Sequence, residues 1–154
     1  MTREDGALAD LAFAELGRVA ELEALVFPEP LGLAELERLF KDPGVRFLAI
    51  REGTRLAAYF GFQVCGPTAH VIDNVTDPAF RRRGYGARIL TEAEPVARAL
   101  GARWFLGEVR VSNTPQLQVL RRIGWREIGL CQSFFGNGED AIVVFRCFGE
   151  GTWP

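Results

Sequence analysis

The segment with the clearest chemical character is 77–86, DPAFRRRGYG, which combines three consecutive arginines with Gly84 and Gly86. It lies between a predicted strand that ends at Thr76 and a predicted helix that begins at Gly84. Glycines allow backbone N–H groups to approach an anion closely, and the positive end of a helix dipole attracts negative charge. The pattern therefore predicts a binding site for the pyrophosphate of a phosphate-bearing cofactor.

Hydrophobic periodicity predicts the helices and strands around this turn. Helices are predicted at 13–27, 33–40, 84–100 and 114–124, and strands at 8–12, 45–51, 55–64, 68–76, 103–111, 126–135 and 140–148. Two- to five-residue links favour an antiparallel meander over 45–76, and the helix at 84–100 makes the strand that follows it parallel to the strand before it. Asn137-Gly138 predicts a tight C-terminal hairpin.

Composition limits the class of protein. The 154 residues predict one domain, 1–154, and the net charge of −2 with a pI of about 5.5 argues against nucleic acid as the main partner. No apolar stretch has the roughly 18 residues that cross a membrane, and the N-terminus lacks a signal-peptide pattern, so we expect a cytoplasmic protein.

The cysteine and histidine content argues against a metal site. Cys65, Cys131 and Cys147 are widely spaced, which predicts reduced and mostly buried thiols. His70 is the single histidine, and no CxxC motif occurs, so we expect no bound metal.

The arginine-rich turn differs from two common phosphate-binding motifs. Ile89 stands where a dinucleotide fingerprint has its third glycine, and no Lys-Ser/Thr pair follows, as a P-loop would require. Arg81-x-x-Gly84-x-Gly86, between a strand followed by Asp-Pro and a helix, instead resembles the acetyl-CoA motif of GNAT-type N-acetyltransferases. The resemblance covers about residues 8–148. At EVRVSN (108–113), Gly124-Trp125 and GEDA (138–141) it is closest to the bacterial ribosomal-protein-alanine N-acetyltransferases.

The resemblance implies a fold, a cofactor and its contacts. The fold would be a GNAT-like mixed α/β structure: a mostly antiparallel sheet with a central splayed parallel strand pair, helices on both faces and a C-terminal hairpin. The cofactor would be acetyl-CoA, with CoA as product. The implied cofactor-binding residues are Asn74, Val75 and Thr76 for the acyl-pantetheine arm, Arg81, Arg82, Arg83, Gly84, Tyr85, Gly86 and Ala87 for the phosphates, and Asn113.

Glu108 falls on the general base of the family. Apolar neighbours on its strand, including Phe105 and Val109, predict a desolvated carboxylate with a raised pKa that can accept a proton near neutral pH. The alternative is a structural carboxylate paired with Arg110 on the same strand face. His70 could also handle the proton of an amine, or it could be a partly exposed strand residue, and the role of Asp73 stays open.

Several positions depart from the family pattern. Leu120 replaces the tyrosine that protonates the thiolate, Phe134-Phe135 replaces a tyrosine pair, and Glu29 replaces a tryptophan. We expect transfer of an acetyl group to a primary amine, with a protein or peptide N-terminal α-amine favoured. The alternatives are a small-molecule amine as acceptor, or a catalytically weak acyl-CoA-binding module. The protein is expected to be a monomer or homodimer.

Overall fold

The computed structural model describes residues 6–149, so both ends of the predicted domain, including most of the N-terminal segment considered for a leader, lie outside the described residues. The strands are β1 Leu8–Asp10, β2 Val45–Glu52, β3 Arg55–Cys65, β4 Thr68–Thr76, β5 Trp104–Arg110, β6 Arg126–Cys131 and β7 Ala141–Cys147. The helices are α1 Leu16–Val26, α2 Leu33–Phe40, α3 Tyr85–Ala99 and α4 Thr114–Arg122.

The strands form one seven-stranded sheet in the order β1-β2-β3-β4-β5-β7-β6. The β1–β2, β2–β3, β5–β7 and β6–β7 pairs are antiparallel, whereas β4 and β5 are parallel. The predicted mixed α/β fold, with its parallel pair and its C-terminal β-hairpin, is confirmed. The predicted turn at 136–138 is present, since the Gly138 N–H donates to the Phe135 carbonyl at 2.8 Å. The predicted length of β6 is wrong, because β6 ends at Cys131 and residues 132–140 form a longer connection to β7.

The chain divides into two compact units, 6–63 with 72–93 and 64–71 with 94–149. In the first unit, α1 and α2 bury their apolar faces in one cluster with residues of β2 and β3. Its buried members include Leu16, Val19, Leu22, Leu36, Phe47 and Tyr59. Apolar residues three or four positions apart put one face of each helix into this cluster, which explains why the sequence pattern located both helices.

Aromatic packing organises the core of the second unit. The Phe105 ring stacks on Trp125 with centroids 5.6 Å apart and meets Phe148 edge-on at 4.9 Å. Leu117 and Leu120 from α4 are also buried. Trp125 therefore has a packing role in this core.

The cysteines are free thiols in the described part of the chain, as predicted, but they are not mostly buried. Cys65 is exposed, and Cys131 and Cys147 are half-buried, because all three lie at the ends of strands. Over residues 6–149, no helix is long and apolar enough to span a membrane, and no cluster of three metal-ligating side chains occurs.

One charged side chain lies inside the first core. Glu23 of α1 is completely buried beside the Tyr59 hydroxyl and the backbone N–H of Leu31, but none of these contacts has regular hydrogen-bond geometry. Desolvation raises the pKa of Glu23 from 4.5 to about 7, because these two donors offset only part of the cost of burying the charge.

We predict that Glu23→Gln stabilises the protein in alkaline solution. Because the pKa of Glu23 is higher in the folded than in the unfolded protein, the free energy of unfolding decreases as the pH rises from 4.5 to about 7. Above about pH 7 the loss stays constant. We take the cost of burying the ionised carboxylate as roughly 2 kcal/mol. Removing the charge should then raise the melting temperature by about 4–8 °C at about pH 8, with little gain at about pH 4.5.

Thermal unfolding followed by circular dichroism at the two pH values measures this difference. Glu21→Gln is the matched control, because Glu21 lies on the same helix but is exposed and pairs with Arg18. An equal change in melting temperature at both pH values would show that the Glu23 charge is not the cause.

Candidate active site

The arginine-rich turn has the backbone form of an anion cradle. Arg82 and Gly84 both have left-handed φ angles, 66° and 77°. Helix α3 then begins at Tyr85, and its first described intrahelical bond runs from the Arg88 N–H to the Gly84 carbonyl at 3.0 Å. The N–H groups of residues 85–87 in the first turn therefore have no acceptor within the helix. Such donors at a helix N-terminus suit a phosphate group.

The start of the turn is fixed by Asp77. Its carboxylate accepts a hydrogen bond from the Ala79 N–H at 2.9 Å and an ion-pair contact from Arg18 Nη2 at 3.1 Å. Its own N–H donates to the Ala57 carbonyl of β3 at 2.8 Å. This nearly buried carboxylate joins the end of β4 to both the turn and α1.

The three arginines of the turn differ in their contacts. Arg83 Nη1 contacts both carboxylate oxygens of Glu52, at 2.9 and 2.8 Å, and its guanidinium lies over the Phe80 ring. The Tyr85 hydroxyl also donates to Glu52. Within residues 6–149, the side chains of Arg81 and Arg82 have no such partner. Glu52, which sequence reasoning missed, therefore orients one side of the turn.

The second candidate centre is a contact between Glu108 on β5 and His70 on β4. His70 Nε2 lies 2.9 Å from Oε1 and 2.8 Å from Oε2 of Glu108. The imidazole is 48% exposed and the carboxylate 18%. The carboxylate beside the ring raises the pKa of His70, while burial opposes the shift. The pair can therefore hold a proton near neutral pH.

Parallel pairing of β4 and β5 produces this contact. The register runs from Thr68↔Trp104 to His70↔Leu106. Glu108 lies two residues beyond Leu106 and therefore on the same face of the sheet as His70. Between them, a side chain at Gly107 would meet Val71 Cβ at 3.1 Å, so the lack of a Cβ allows the strands to approach closely. Phe105 and Gly107 are buried, but Glu108 lies on the partly exposed face. The face of β5 that carries Glu108 is therefore not fully covered, although the apolar neighbours predicted a desolvated carboxylate.

The alternative pairing of Glu108 with Arg110 is also wrong. Arg110 Nη1 contacts Glu139 at 2.9 Å and Asn137 at 3.0 Å, and its guanidinium lies over the Phe135 ring. Glu139 has a lowered pKa because it accepts hydrogen bonds from Ser112 and Arg110. The loop between β6 and β7 thus provides the partner for Arg110, and His70 is the polar side-chain partner of Glu108 among the described residues.

The remaining predicted residues have local structural roles. Thr76 lies beside Gly86, and Val75 belongs to the core of the first unit. The Asn113 side chain caps α4 by accepting the Gln116 N–H at 3.4 Å. Leu120 is 3% exposed on that helix. The structure thus brings Thr76 next to the turn and His70 next to Glu108; the contacts with a cofactor stay predictions.

Comparison with known proteins identifies the family. Residues 16–125 match the acetyltransferase (GNAT) family, which is more than half of the chain. The chain therefore belongs to the GNAT family of acetyltransferases, as its turn motif predicted.

Named relatives and solved structures agree with this assignment. The chain is 33% identical to N-alpha-acetyltransferase RimI of Mycobacterium tuberculosis, over 91% of each chain. It is 29% identical to the ribosomal protein bS18-alanine N-acetyltransferase of Salmonella typhimurium, over 68% of this chain and 74% of the relative. The ribosomal-protein-S18-alanine N-acetyltransferase structure from Escherichia coli has a TM-score of 0.83 at 19% identity, covering 96% and 99% of the chains. That likeness shows the fold.

We predict opposite effects for alanine at the two glycines of the turn. Gly84→Ala places a Cβ in the left-handed region, which should destabilise the protein by about 1–2 kcal/mol and lower its melting temperature. Gly86→Ala should leave the melting temperature unchanged or higher, because the new Cβ meets Thr76 Oγ1 at an ordinary 3.6 Å and alanine favours a helix.

Calorimetric titration with CoA then tests whether this turn binds the cofactor. Gly86→Ala should weaken CoA binding while keeping the fold, because its methyl group obstructs close approach to the first-turn amides. Binding at the wild-type level in both variants would contradict the assignment of the turn.

Proposed function

We propose that the protein is an acetyl-CoA-dependent N-acetyltransferase that acts on a primary amine, with a protein or peptide N-terminal α-amine as its preferred acceptor. The observation that carries the proposal is the turn before α3, in which the amides of residues 85–87 are available beside a left-handed Gly84. Residues 1–154 would act as a single domain, and we place it in the cytoplasm, where its free thiols stay reduced.

The residues around the turn fit the cofactor. The phosphates would be held by the backbone amides of the segment 82–87, with Arg81 and Arg82 adding charge from side chains that have no ion pair among the described residues. Asn74, Val75 and Thr76 would line the pantetheine arm, and Asn113 would contact the cofactor. When bound, acetyl-CoA supplies the activated acetyl group; the residues of this chain bind it and handle protons.

Glu108 would provide the base for the acceptor amine. An α-amine has a pKa of about 7.7–8.0, whereas a lysine side chain has about 10.4, so less free energy is needed to remove the α-ammonium proton. A single carboxylate centre at neutral pH therefore suits an N-terminal acceptor. The Mycobacterium and Salmonella relatives, an N-alpha-acetyltransferase and a ribosomal-protein-alanine N-acetyltransferase, support the same acceptor class.

The substrate side leaves two other functions to be tested. Phe134 is 46% exposed and packs edge-on against Phe135 at 5.0 Å, where the resembling enzymes carry tyrosines. Without those hydroxyls, a small amine could replace a peptide as acceptor. Because Leu120 cannot donate a proton, the third possibility is a protein that binds acyl-CoA and turns it over slowly.

The direct test measures release of free CoA thiol from acetyl-CoA with three acceptors: an alanyl N-terminal peptide, the same peptide with a blocked N-terminus and an internal lysine, and spermidine. We expect the first to react fastest. Glu108→Gln should lower kcat by about 10²- to 10⁴-fold, the usual contribution of a general base.

Glu127→Gln is the control for this change, because Glu127 forms an exposed ion pair with Arg121 in the same unit. It should keep wild-type activity. A Glu108→Gln enzyme as fast as the wild type would contradict the role of Glu108 as the base. Transfer to spermidine alone would contradict the proposal that an N-terminal α-amine is the preferred acceptor.

The missing tyrosine can be tested at Leu120. Leu120→Tyr should raise kcat if the hydroxyl reaches the leaving thiolate, whereas Leu120→Phe adds a similar volume without a proton donor. Because Leu120 is buried, both variants should lose roughly 1–3 kcal/mol of stability from overpacking. A higher kcat for tyrosine than for phenylalanine, at equal melting temperatures, would identify proton donation; equal kcat values would exclude it.

A further inference from the structure

We propose that Nδ1 of His70 is the atom that exchanges protons with the acceptor amine, and that Glu108 acts through His70 by orienting the imidazole and stabilising its charge. This inference rests on the proposed function and refines one part of it: the amine would give its proton to His70, and Glu108 would act through His70 without touching the amine. His70 would be the catalytic residue, and Glu108 would be its positioning residue.

The contact geometry assigns the two ring nitrogens. An ionised carboxylate has only acceptors, so the nitrogen that faces it must carry a hydrogen. His70 Nε2 lies within 2.9 Å of both oxygens of Glu108 and therefore donates to them. In the neutral imidazole the lone pair is then on Nδ1, on the side of the ring that points away from the carboxylate.

Exposure favours the imidazole as the group that meets the acceptor. The His70 side chain is 48% exposed, whereas Glu108 is 18% exposed and both of its oxygens face Nε2. An amine that approached the carboxylate directly would have to share its two oxygens with Nε2. Proton transfer through Nδ1 leaves it in place and strengthens it, because the new positive charge forms next to Glu108.

The charged groups near His70 favour the protonated form of its imidazole. Glu108 is the one charged group that raises the His70 pKa, through its hydrogen bond and its negative charge. Arg110, two residues further along β5, is engaged by Glu139 on the opposite side of the hairpin loop. The proton therefore stays on the imidazole to a higher pH than on a free histidine.

The proton balance defines what the imidazole does in the proposed reaction. The ammonium N–H bond breaks as the Nδ1–H bond forms, which leaves a neutral amine to attack the thioester carbonyl. The C–N bond forms, the C–S bond breaks, and the nitrogen loses a second proton. The released thiolate would take up one proton from solvent, and the imidazole would return the proton it accepted to solvent, so one proton is set free in each turnover.

The first experiment titrates the imidazole by NMR, which is unambiguous because His70 is the single histidine in the chain. The wild-type pKa should exceed the ordinary value of 6.5, and Glu108→Gln should lower it, because only the opposing effect of burial then remains. The Glu127→Gln control should keep the raised pKa. Equal His70 pKa values in the wild type and Glu108→Gln would contradict the proposal that Glu108 stabilises the charged imidazole, and this result does not depend on an activity measurement.

The second experiment follows acetyl transfer to the alanyl peptide as a function of pH. His70→Gln keeps an N–H donor for Glu108 but cannot take up a proton, so kcat should fall by about 10²-fold or more at an unchanged melting temperature. The pH at which kcat falls on the acidic side should also change, because this fall no longer reflects protonation of the imidazole. Added imidazole should restore activity to His70→Ala but not to Glu108→Gln.

The outcomes separate this inference from the proposed function. If the wild type acetylates the peptide and His70→Gln retains its rate and pH profile, Glu108 acts directly and the role of His70 is overturned. If the wild type transfers acetyl to none of the three acceptors, the proposed function falls and the catalytic role of His70 falls with it.

Discussion

The parallel pairing of β4 with β5 is the constraint on which the chemistry of the second unit depends. Two strands that run in the same direction bring residues from distant parts of the chain to one face, and here they bring His70 to Glu108. The contact needs a close approach, which Gly107 permits beside Val71. A larger residue at 107 would crowd Val71, the neighbour of His70, although neither member of the pair would have changed.

The distribution of charge distinguishes this pair from its surroundings. Glu52 and Glu139 contact arginines, which stay protonated at every physiological pH. Those carboxylates are fixed as anions and have structural roles. Glu108 instead contacts a histidine, whose charge changes near neutrality. A titratable partner is what turns an ion pair into a centre that can accept and return a proton.

The fold was largely predictable because it depends on local signals. Helix α2 was predicted with its observed ends, and the parallel strand pair followed from the crossover helix. The site was less predictable, because His70 and Glu108 are 38 residues apart and meet only through the strand register, which no local pattern specifies. The alternative pairing of Glu108 with Arg110 considered only neighbours on the same strand face. The partner of Arg110 is Glu139, which comes from the loop between β6 and β7.

The buried Glu23 has a consequence for the energetics of the whole chain. Its folded-state pKa is about 7, and that of His70 is also raised, so the folded protein binds more protons near neutrality than the unfolded chain does. Folding therefore takes protons up from the solvent, and unfolding releases them to the buffer. The heat of unfolding near neutral pH must accordingly include the protonation enthalpy of whichever buffer receives those protons.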